Sequence, residues 1–320
     1  MRFEGFTHPK ARDLSVPGDD ALLHVPGRVT AIFDGATDSH GRRRDGVPLG
    51  RLAALAAARA LVALPQEAAD WDAAEVMAHL SGAVARAAPH DGVGRPASTT
   101  ALIVFEGDTA LRVVGLGDTG YRVNGGAVRI TDLAPDAVTI PARVTLFRHF
   151  QAAGLPARAC ETRARQVMSE GLEPALGARL IDRALYARVI EQAIAALPGA
   201  AEAVAEFLRG GLQSQHHFAN RADHPLGYGV LDGTAPAPEF IIDESLPRED
   251  LASLEVFSDG YMVPPEGLTV ADWEAAHAAV EARDPHKIDA TPAVKGSTAE
   301  AFFDDRTVAI LRCKATLPPD

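Results

Sequence analysis

Short apolar runs bounded by turn residues recur along the chain, and this pattern predicts β-strands. Residues 28–34 (RVTAIFD) form a β-branched run that stops at Asp34-Gly35. Between Ser98 and Asp132 the sequence contains four further runs, TTALIVFE, ALRVVGL, GYRVN and AVRIT, and the hairpin signal Asn-Gly separates the last two. We predict that this second segment is an antiparallel meander in which adjacent strands pair through tight turns.

Helical patterns occupy other stretches of the chain. Residues 49–64 are rich in alanine and leucine, and Asp72 is placed to cap a second helix, DAAEVMAHLSGAVARAA. Residues 141–215 are mostly helical in pattern, with long runs of alanine, arginine and glutamate. Three more strand-like pieces follow, PEFIIDE, LEVFSDG and FFDDRTVAILRC, and the helical pattern VADWEAAHAAVEAR lies between the last two.

Strands and helices are therefore clustered rather than strictly alternating. A doubly wound parallel sheet needs alternation, so this order favours an α+β fold built from antiparallel layers. The length of 320 residues allows one large domain or two small ones.

Composition and charge narrow the classes of function. The formal net charge of −12 argues against a global basic footprint for nucleic acid. The first residues contain no apolar run typical of a signal peptide, and no window approaches the apolar length of a membrane span. Cys160 and Cys313 are far apart in sequence and indicate neither a disulfide framework nor a metal-ligand pair. We expect a cytoplasmic protein with no nucleic-acid partner and no membrane contact.

Residues 115–120 (GLGDTG) match the dinucleotide-binding pattern G-x-G-x-x-G. That site needs a helix directly after the glycines, so that the helix N-terminus can meet the pyrophosphate. A hairpin pattern follows here instead, so we reject a nucleotide site. Asp118 and Thr119 are then interpreted as structural turn residues.

Acidic residues stand where apolar strands are expected to reach the surface. Asp34 and Asp259 each follow a strand and precede a glycine, Asp304 precedes the last strand, and Asp19 and Asp20 precede the run ALLHV. Carboxylate and carbonyl oxygens are the ligands that magnesium and manganese prefer. Asp-Gly is also a common turn former, and for any one of these positions taken alone that interpretation is the better one.

The order of these motifs resembles a known family. The chain carries, in sequence, GDDALLH, AIFDGATD, the block STTALIVFEGDTALRVVGLGDTGYRVNGGAVRITD, LEVFSDGYM and FFDDRTVAILRC. This set is similar to the metal-dependent type-2C serine/threonine protein phosphatases. The resemblance implies a four-layer α-β-β-α sandwich of two antiparallel sheets flanked by helices. It also implies hydrolysis of phosphoserine and phosphothreonine in proteins with two manganese or magnesium ions.

Residue by residue, the resemblance implies the following metal site. Asp34 would bridge two ions, and the carbonyl of Gly35 would bind the second ion. Asp259 and Asp304 would complete the shell of the first ion. The acidic pair Asp19 and Asp20 would hold water ligands of the second ion. A water between the ions would be the nucleophile, so that no side-chain nucleophile is needed.

Ser15 occupies a position where members of the family often have an arginine that grips the substrate phosphate. Lys10 and Arg12 are the nearby cations that would replace it if the loop differs.

Three other positions also depart from the family pattern. Ala36 replaces a histidine that some members have, Val263 replaces an aspartate used for a third metal, and Asp305 replaces an asparagine.

We expect residues 1–320 to form one phosphatase-like domain with a helical insert at about 141–215, which matches no part of the family pattern. The insert is either an enlarged flap over the site or a surface for a protein partner. Two alternatives to a phosphoprotein phosphatase stay open. One is a catalytically weak or inactive partner-binding module, and the other is a phosphatase for a small phosphorylated metabolite.

Overall fold

Most of the chain forms short strands and helices. The computed structural model describes residues 1–313 except residues 39, 91 and 93. Its strands are β1 (Arg2–His8), β2 (Ala21–Val25), β3 (Val29–Phe33), β4 (Arg43–Arg44), β5 (Val47–Pro48), β6 (Ala101–Glu106), β7 (Ala110–Leu116), β8 (Gly120–Val123), β9 (Val128–Arg129), β10 (Ile241–Pro247), β11 (Ser253–Phe257) and β12 (Arg306–Arg312).

Two antiparallel sheets of five strands each organise the fold. The first has the order β1-β12-β11-β8-β9 and the second the order β10-β7-β6-β3-β2, while β4 and β5 form a separate pair. Most of the predicted strands appear with ends shifted by one to three residues, as expected for boundaries drawn from sequence patterns.

The described residues also form eight α-helices. They are α1 (Leu49–Ala63), α2 (Ala73–Ala87), α3 (Ala134–Ala152), α4 (Ala157–Glu170), α5 (Leu172–Gly177), α6 (Arg183–Ala196), α7 (Ala201–Gly210) and α8 (Val270–Arg283). As predicted, Asp72 caps α2 by accepting a hydrogen bond from the amide of Ala74 at 2.8 Å. No helix among the described residues is long and apolar enough to cross a membrane.

Three apolar layers hold the sandwich together. Ile32 and Val113 of the second sheet pack with Val256 and Leu311 of the first sheet, so the two sheets share one core. Helices α1 and α2 cover the outer face of the second sheet. Helix α8 covers the outer face of the first sheet, where its fully buried Trp273 packs among strand residues. The predicted α+β sandwich of two antiparallel sheets flanked by helices is confirmed.

Helices α3 to α7 form a further body with an apolar core of its own, which includes Phe147, Val167 and Phe207. This helical body begins at Ala134 and ends with a 3-10 turn at Leu212–Phe218. Its ends therefore lie somewhat outside the predicted range 141–215.

The predicted continuous meander is wrong at one point. Strands β6 and β7 pair in the second sheet, whereas β8 and β9 pair in the first sheet. The turn Gly117-Asp118-Thr119 therefore crosses from one sheet to the other. Gly117 has φ +85°, and a Cβ there would overlap Thr100, so only glycine fits this crossing.

The predicted Asn-Gly hairpin is confirmed. Asn124 and Gly125 have φ values of +54° and +67°, as a tight turn with two left-handed residues requires.

Candidate metal centre

Five aspartates from distant parts of the sequence line one cavity of about 650 Å³, namely Asp34, Asp118, Asp136, Asp259 and Asp304. Asp34 follows β3, Asp259 lies two residues after β11, and Asp304 lies two residues before β12. Because β11 and β12 are antiparallel neighbours, the last residues of β11 and the first residues of β12 lie at the same end of the strands. Asp118 reaches the same cavity from the turn that joins the two sheets. This aspartate was interpreted from the sequence as a structural turn residue.

Backbone contacts fix the position of Asp34 and its neighbour Gly35. The carbonyl oxygen of Asp34 accepts hydrogen bonds from the amide of Thr100 at 2.9 Å and from Oγ1 of Thr99 at 2.7 Å. Gly35 also lines the cavity. A Cβ on Gly35 would lie 2.5 Å from the carbonyl oxygen of Gly50 and 2.6 Å from that of Asp19, so no side chain fits there.

The predicted pair Asp19 and Asp20 does not line the cavity but is buried beside it. Oδ2 of Asp20 accepts hydrogen bonds from Oγ of Ser258 at 2.8 Å and from Oγ1 of Thr307 at 2.7 Å. Oδ2 of Asp19 pairs with Nζ of Lys10 at 2.8 Å. The structure therefore brings Asp34, Gly35, Asp259 and Asp304 together, with the acidic pair behind them.

Burial and nearby negative charges disfavour the ionised forms of Asp34 and Asp259. Burial raises the pKa of Asp34 well above its usual value, and the charges of Asp20, Asp118 and Asp304 add to this shift. Burial and the charges of Asp304 and Asp34 likewise raise the pKa of Asp259. A cation placed among these groups would relieve both effects.

Two further carboxyl groups at the cavity share this environment. Burial raises the pKa of Asp118 to about 6, with a contribution from Asp304. Burial raises the pKa of Asp136, in the first turn of α3, to about 7, and the Asp118 charge adds to the shift. Sequence reasoning missed Asp136, because an acid in the first turn of a helix is common for electrostatic reasons alone.

The donor chemistry of the cavity fits a divalent cation. All the candidate side chains offer oxygen ligands, and Oδ1 of Asp259 and Oδ1 of Asp20 are buried without a hydrogen-bond partner in the described structure. However, no group of three acidic, histidine or cysteine side chains among the described residues is already arranged to hold a metal. The carboxylates would have to move together around an ion.

Lysines neutralise part of this acidic cluster. Nζ of Lys295 lies 2.7 Å from Oδ2 of Asp304. Nζ of Lys10 contacts Asp19, Oγ1 of Thr37 at 2.8 Å and Oδ2 of Asp305 at 2.9 Å. These contacts use all three hydrogens of the Lys10 ammonium, so Lys10 is a structural bridge here.

The ion pair with Lys10 also affects the pKa of Asp305. Burial opposes ionisation of Asp305, but the Lys10 charge and the amides of Lys10 and Asp19 lower the pKa of Asp305 below its usual value.

Arg12, the other candidate for the missing phosphate-binding arginine, faces elsewhere. Its guanidinium lies 4.1 Å from the ring centroid of Phe302, and its Nε donates to the carbonyl oxygen of Thr298 at 3.2 Å. Arg12 is not part of the cavity lining. Neither nearby cation therefore substitutes for the absent arginine in this arrangement.

The helical body supplies a wall of the same cavity. Side chains of α4 and of the 3-10 turn line it, namely Thr162, Arg165, Gln166, Ser169 and Gln215. Arg165 is exposed, and its Nε lies 3.9 Å from Glu161. Arg95, from the loop before β6, also lines the cavity. These two arginines are positive groups at the cavity that the sequence motifs did not indicate.

Comparison with known proteins gives structural neighbours only. No family model and no curated protein matches the sequence. Solved structures that resemble this fold over nearly the whole chain are bacterial serine/threonine phosphatases. The Mycobacterium tuberculosis serine/threonine phosphatase PstP/Ppp has a TM-score of 0.47 and 13% identity, with 97% of both chains covered. Stp1 from Staphylococcus aureus has a TM-score of 0.48 and 10% identity, with 98% of this chain and 95% of that chain covered.

A PstP catalytic domain described in complex with two manganese ions has a TM-score of 0.44 and 13% identity, with 97% of this chain and 96% of that chain covered. Similarity at this level adds no argument about chemistry.

Proposed function

We propose that this chain is a manganese- or magnesium-dependent phosphatase that hydrolyses phosphoserine and phosphothreonine in proteins. The observation that carries the proposal is the meeting of Asp34, Asp118, Asp259 and Asp304 at one cavity. The raised pKa values of Asp34 and Asp259 and the unpartnered Oδ1 of Asp259 mark a place where positive charge is needed. The motif order along the sequence supports the same class of enzyme.

In this proposal Asp34, the carbonyl of Gly35, Asp259 and Asp304 hold the ions directly. Two such ions, when bound, supply an acidified water and neutralise the charge of the phosphate. Asp20, fixed by Ser258 and Thr307, orients water ligands at the edge of the site. Asp19 has the same role.

In the proposed mechanism Arg95 takes the place of the absent phosphate-binding arginine, and Arg165 binds the part of the protein substrate that flanks the phosphate. Arg165 is the better placed for a protein substrate, because it stands exposed on α4 where a flanking acidic residue could approach. Guanidinium groups bind phosphate and carboxylate oxygens in pairs, which suits this task. We propose that the helical body is an insert of a single phosphatase domain and contacts the protein part of the substrate.

Metal-dependent hydrolysis of an aryl phosphate tests the proposal. The wild type is compared with Asp259→Asn, with and without manganese, and with Asp223→Asn as a matched control. Asp223 is an exposed loop residue whose side chain is 73% accessible. We expect manganese-dependent turnover in the wild type and in the control, and a loss in Asp259→Asn. Wild-type protein without metal-dependent turnover would refute the enzyme, and full activity of Asp259→Asn would refute the site.

The ion pairs of Lys10 and Lys295 with predicted metal ligands favour one alternative, a catalytically weak module that binds a partner. Calorimetric titration with manganese separates the two ideas. The phosphatase proposal requires saturable binding that is lost in Asp259→Asn, whereas the alternative requires none. Comparing a phosphothreonine peptide with a small phosphometabolite under the same conditions then distinguishes the substrate classes.

A further inference from the structure

One lysine occupies the acidic cavity itself. Nζ of Lys295 lies 2.7 Å from Oδ2 of Asp304, and the two side chains are only 19% and 13% exposed. Its charge also acts on other carboxyls, since it lowers the pKa values of Asp118, Asp136 and Asp259 against the effect of burial. Lys295 is therefore a positive group at the centre of the acidic cluster.

The segment that carries Lys295 is held firmly. The guanidinium of Arg143, fully buried in α3, donates to the carbonyl oxygens of Lys287 and Ala293, both at 3.0 Å, and to that of His286 at 2.6 Å. It also forms an ion pair with Glu161 of α4.

Glu161 in turn accepts a hydrogen bond at 2.8 Å from the amide of Gly296, the residue next to Lys295. A Cβ on Gly296 would lie 2.8 Å from Nη2 of Arg143, so the segment packs directly against this network. Lys295 is thus presented to Asp304 by a buried scaffold and not by an exposed, freely moving loop.

The two oxygens of Asp304 have different partners. Oδ1 accepts a hydrogen bond from the amide of Asp305 at 3.0 Å, while Oδ2 pairs with Lys295. Both oxygens of Asp304 are therefore already engaged, and Oδ2 carries a cation at the position where a divalent ion would need a free carboxylate oxygen. An ammonium and a metal ion repel each other strongly at such a short separation.

We propose that Lys295 is an internal counter-cation of the metal site, which occupies Oδ2 of Asp304 in the metal-free protein and leaves it when a divalent ion binds. This inference rests on the proposed function, because it assumes that the carboxylates bind a metal. It predicts that Lys295 weakens metal affinity and so sets the metal concentration at which the site fills.

Calorimetric titration with manganese tests the inference without any activity measurement. Lys295→Met removes the charge and keeps the length of the side chain. We expect its affinity for manganese to be about tenfold tighter than that of the wild type, equivalent to about 1.4 kcal/mol. Arg188→Gln, on the exposed face of α6, removes one positive charge elsewhere and should leave the affinity unchanged.

Lys295→Arg keeps the charge and should remain close to the wild type, and Lys295→Gln serves if Lys295→Met does not fold. Equal or weaker manganese binding by both neutral variants would overturn the inference while leaving the metal site intact. Binding by neither the wild type nor the neutral variants would overturn the proposed function together with the inference. Binding by the neutral variants alone would show that Lys295 blocks the site and does not exchange with the ion, and would overturn the inference.

Discussion

Asp259 illustrates how a binding site can oppose the stability of its own fold. Its Oδ1 is buried without a partner in the described part of the chain, and burial with the charges of Asp304 and Asp34 raises its pKa. In the absence of metal, ionised Asp259 therefore disfavours the folded state. Its retention at this position is understandable if a ligand that stabilises the negative charge is bound during function.

Asp259→Asn should consequently change stability and metal binding in opposite directions. We expect a higher melting temperature than the wild type in a chelator, because one repelling charge is removed. Manganese should then raise the melting temperature of the wild type much more than that of the variant. Differential scanning fluorimetry with and without manganese measures both effects. A lower melting temperature of Asp259→Asn in the chelator would contradict the repulsion argument.

At single positions, the sequence singled out acids that directly adjoin an apolar strand. Asp34, Asp259 and Asp304 are recognisable in this way, and the ends of their strands, from both sheets, converge on one cavity. Asp118 was recognised only as a turn residue, since nothing in its neighbourhood shows that the turn crosses between the two sheets. Asp136 belongs to a helix whose position over the cavity depends entirely on tertiary packing.

Helix α4 contributes both to the buried network and to the cavity. Its Glu161 is 2% exposed and paired with the fully buried Arg143. Arg165, one helical turn later on the same side of α4, is exposed and lines the cavity. The same helix therefore anchors the Lys295 segment and contributes to the proposed substrate surface.

Breaking the buried ion pair between Glu161 and Arg143 should lower the stability of the fold. Glu161→Gln leaves the Arg143 guanidinium buried without a counter-charge, and we expect a loss of about 3 kcal/mol or more in the free energy of unfolding. Urea unfolding followed by circular dichroism measures this loss. Glu191→Gln, on an exposed position of α6, is the matched control and should change stability by less than about 0.5 kcal/mol. A similar small change in Glu161→Gln would show that the network is not important for stability.

Arg165→Ala should affect protein substrates more than small ones. We expect KM for an acidic phosphothreonine peptide to rise by about tenfold, while KM for an aryl phosphate changes little, because the wall of α4 contacts only the larger substrate. Steady-state kinetics with both substrates gives the comparison, and Arg188→Ala is the control. Equal effects on both substrates would place Arg165 at the phosphate itself.

Most elements were predictable, and the reasons for the failures are specific. The Asp72 cap, helix α1 and the Asn124-Gly125 turn follow local rules that act within a few residues. Strand β1 was missed because its alternation is faint and only its pairing with β12 defines it. The crossing at Gly117 was missed because local patterns do not say which of two sheets a hairpin joins.

Across the whole molecule, folding raises the pKa of some buried groups and lowers the pKa of others. Folding raises the pKa of Asp118 to about 6 and of Asp136 to about 7, so the folded state retains protons that the unfolded chain has lost above pH 3.8. This contribution is present at low pH and disappears as the pH rises through 6 to 7. Burial lowers the pKa of His277 from 6.5 to about 4, so its contribution disappears as the pH falls below 6.5.

The two aspartates outnumber His277, so the metal-free protein should lose stability as the pH rises from 6 to 8. We expect its melting temperature in a chelator to be lower at pH 8 than at pH 6, and manganese to remove most of this loss. Thermal unfolding across this range, with and without the metal, checks the prediction. A melting temperature that rises steadily from pH 6 to pH 8 in the chelator would contradict it.

The position of β12 has a consequence for how the protein is made. This strand lies between β1 and β11, and β1 pairs with no other strand in the described structure. During synthesis β1 therefore stays without its partner strand until residues 306–312 have been made. Asp304 is made just before β12, so the candidate metal site is incomplete up to the same point. Strand pairing at such long sequence separation is slow. We therefore expect β1 and β12 to pair late in folding, and the candidate metal site to form at the same step.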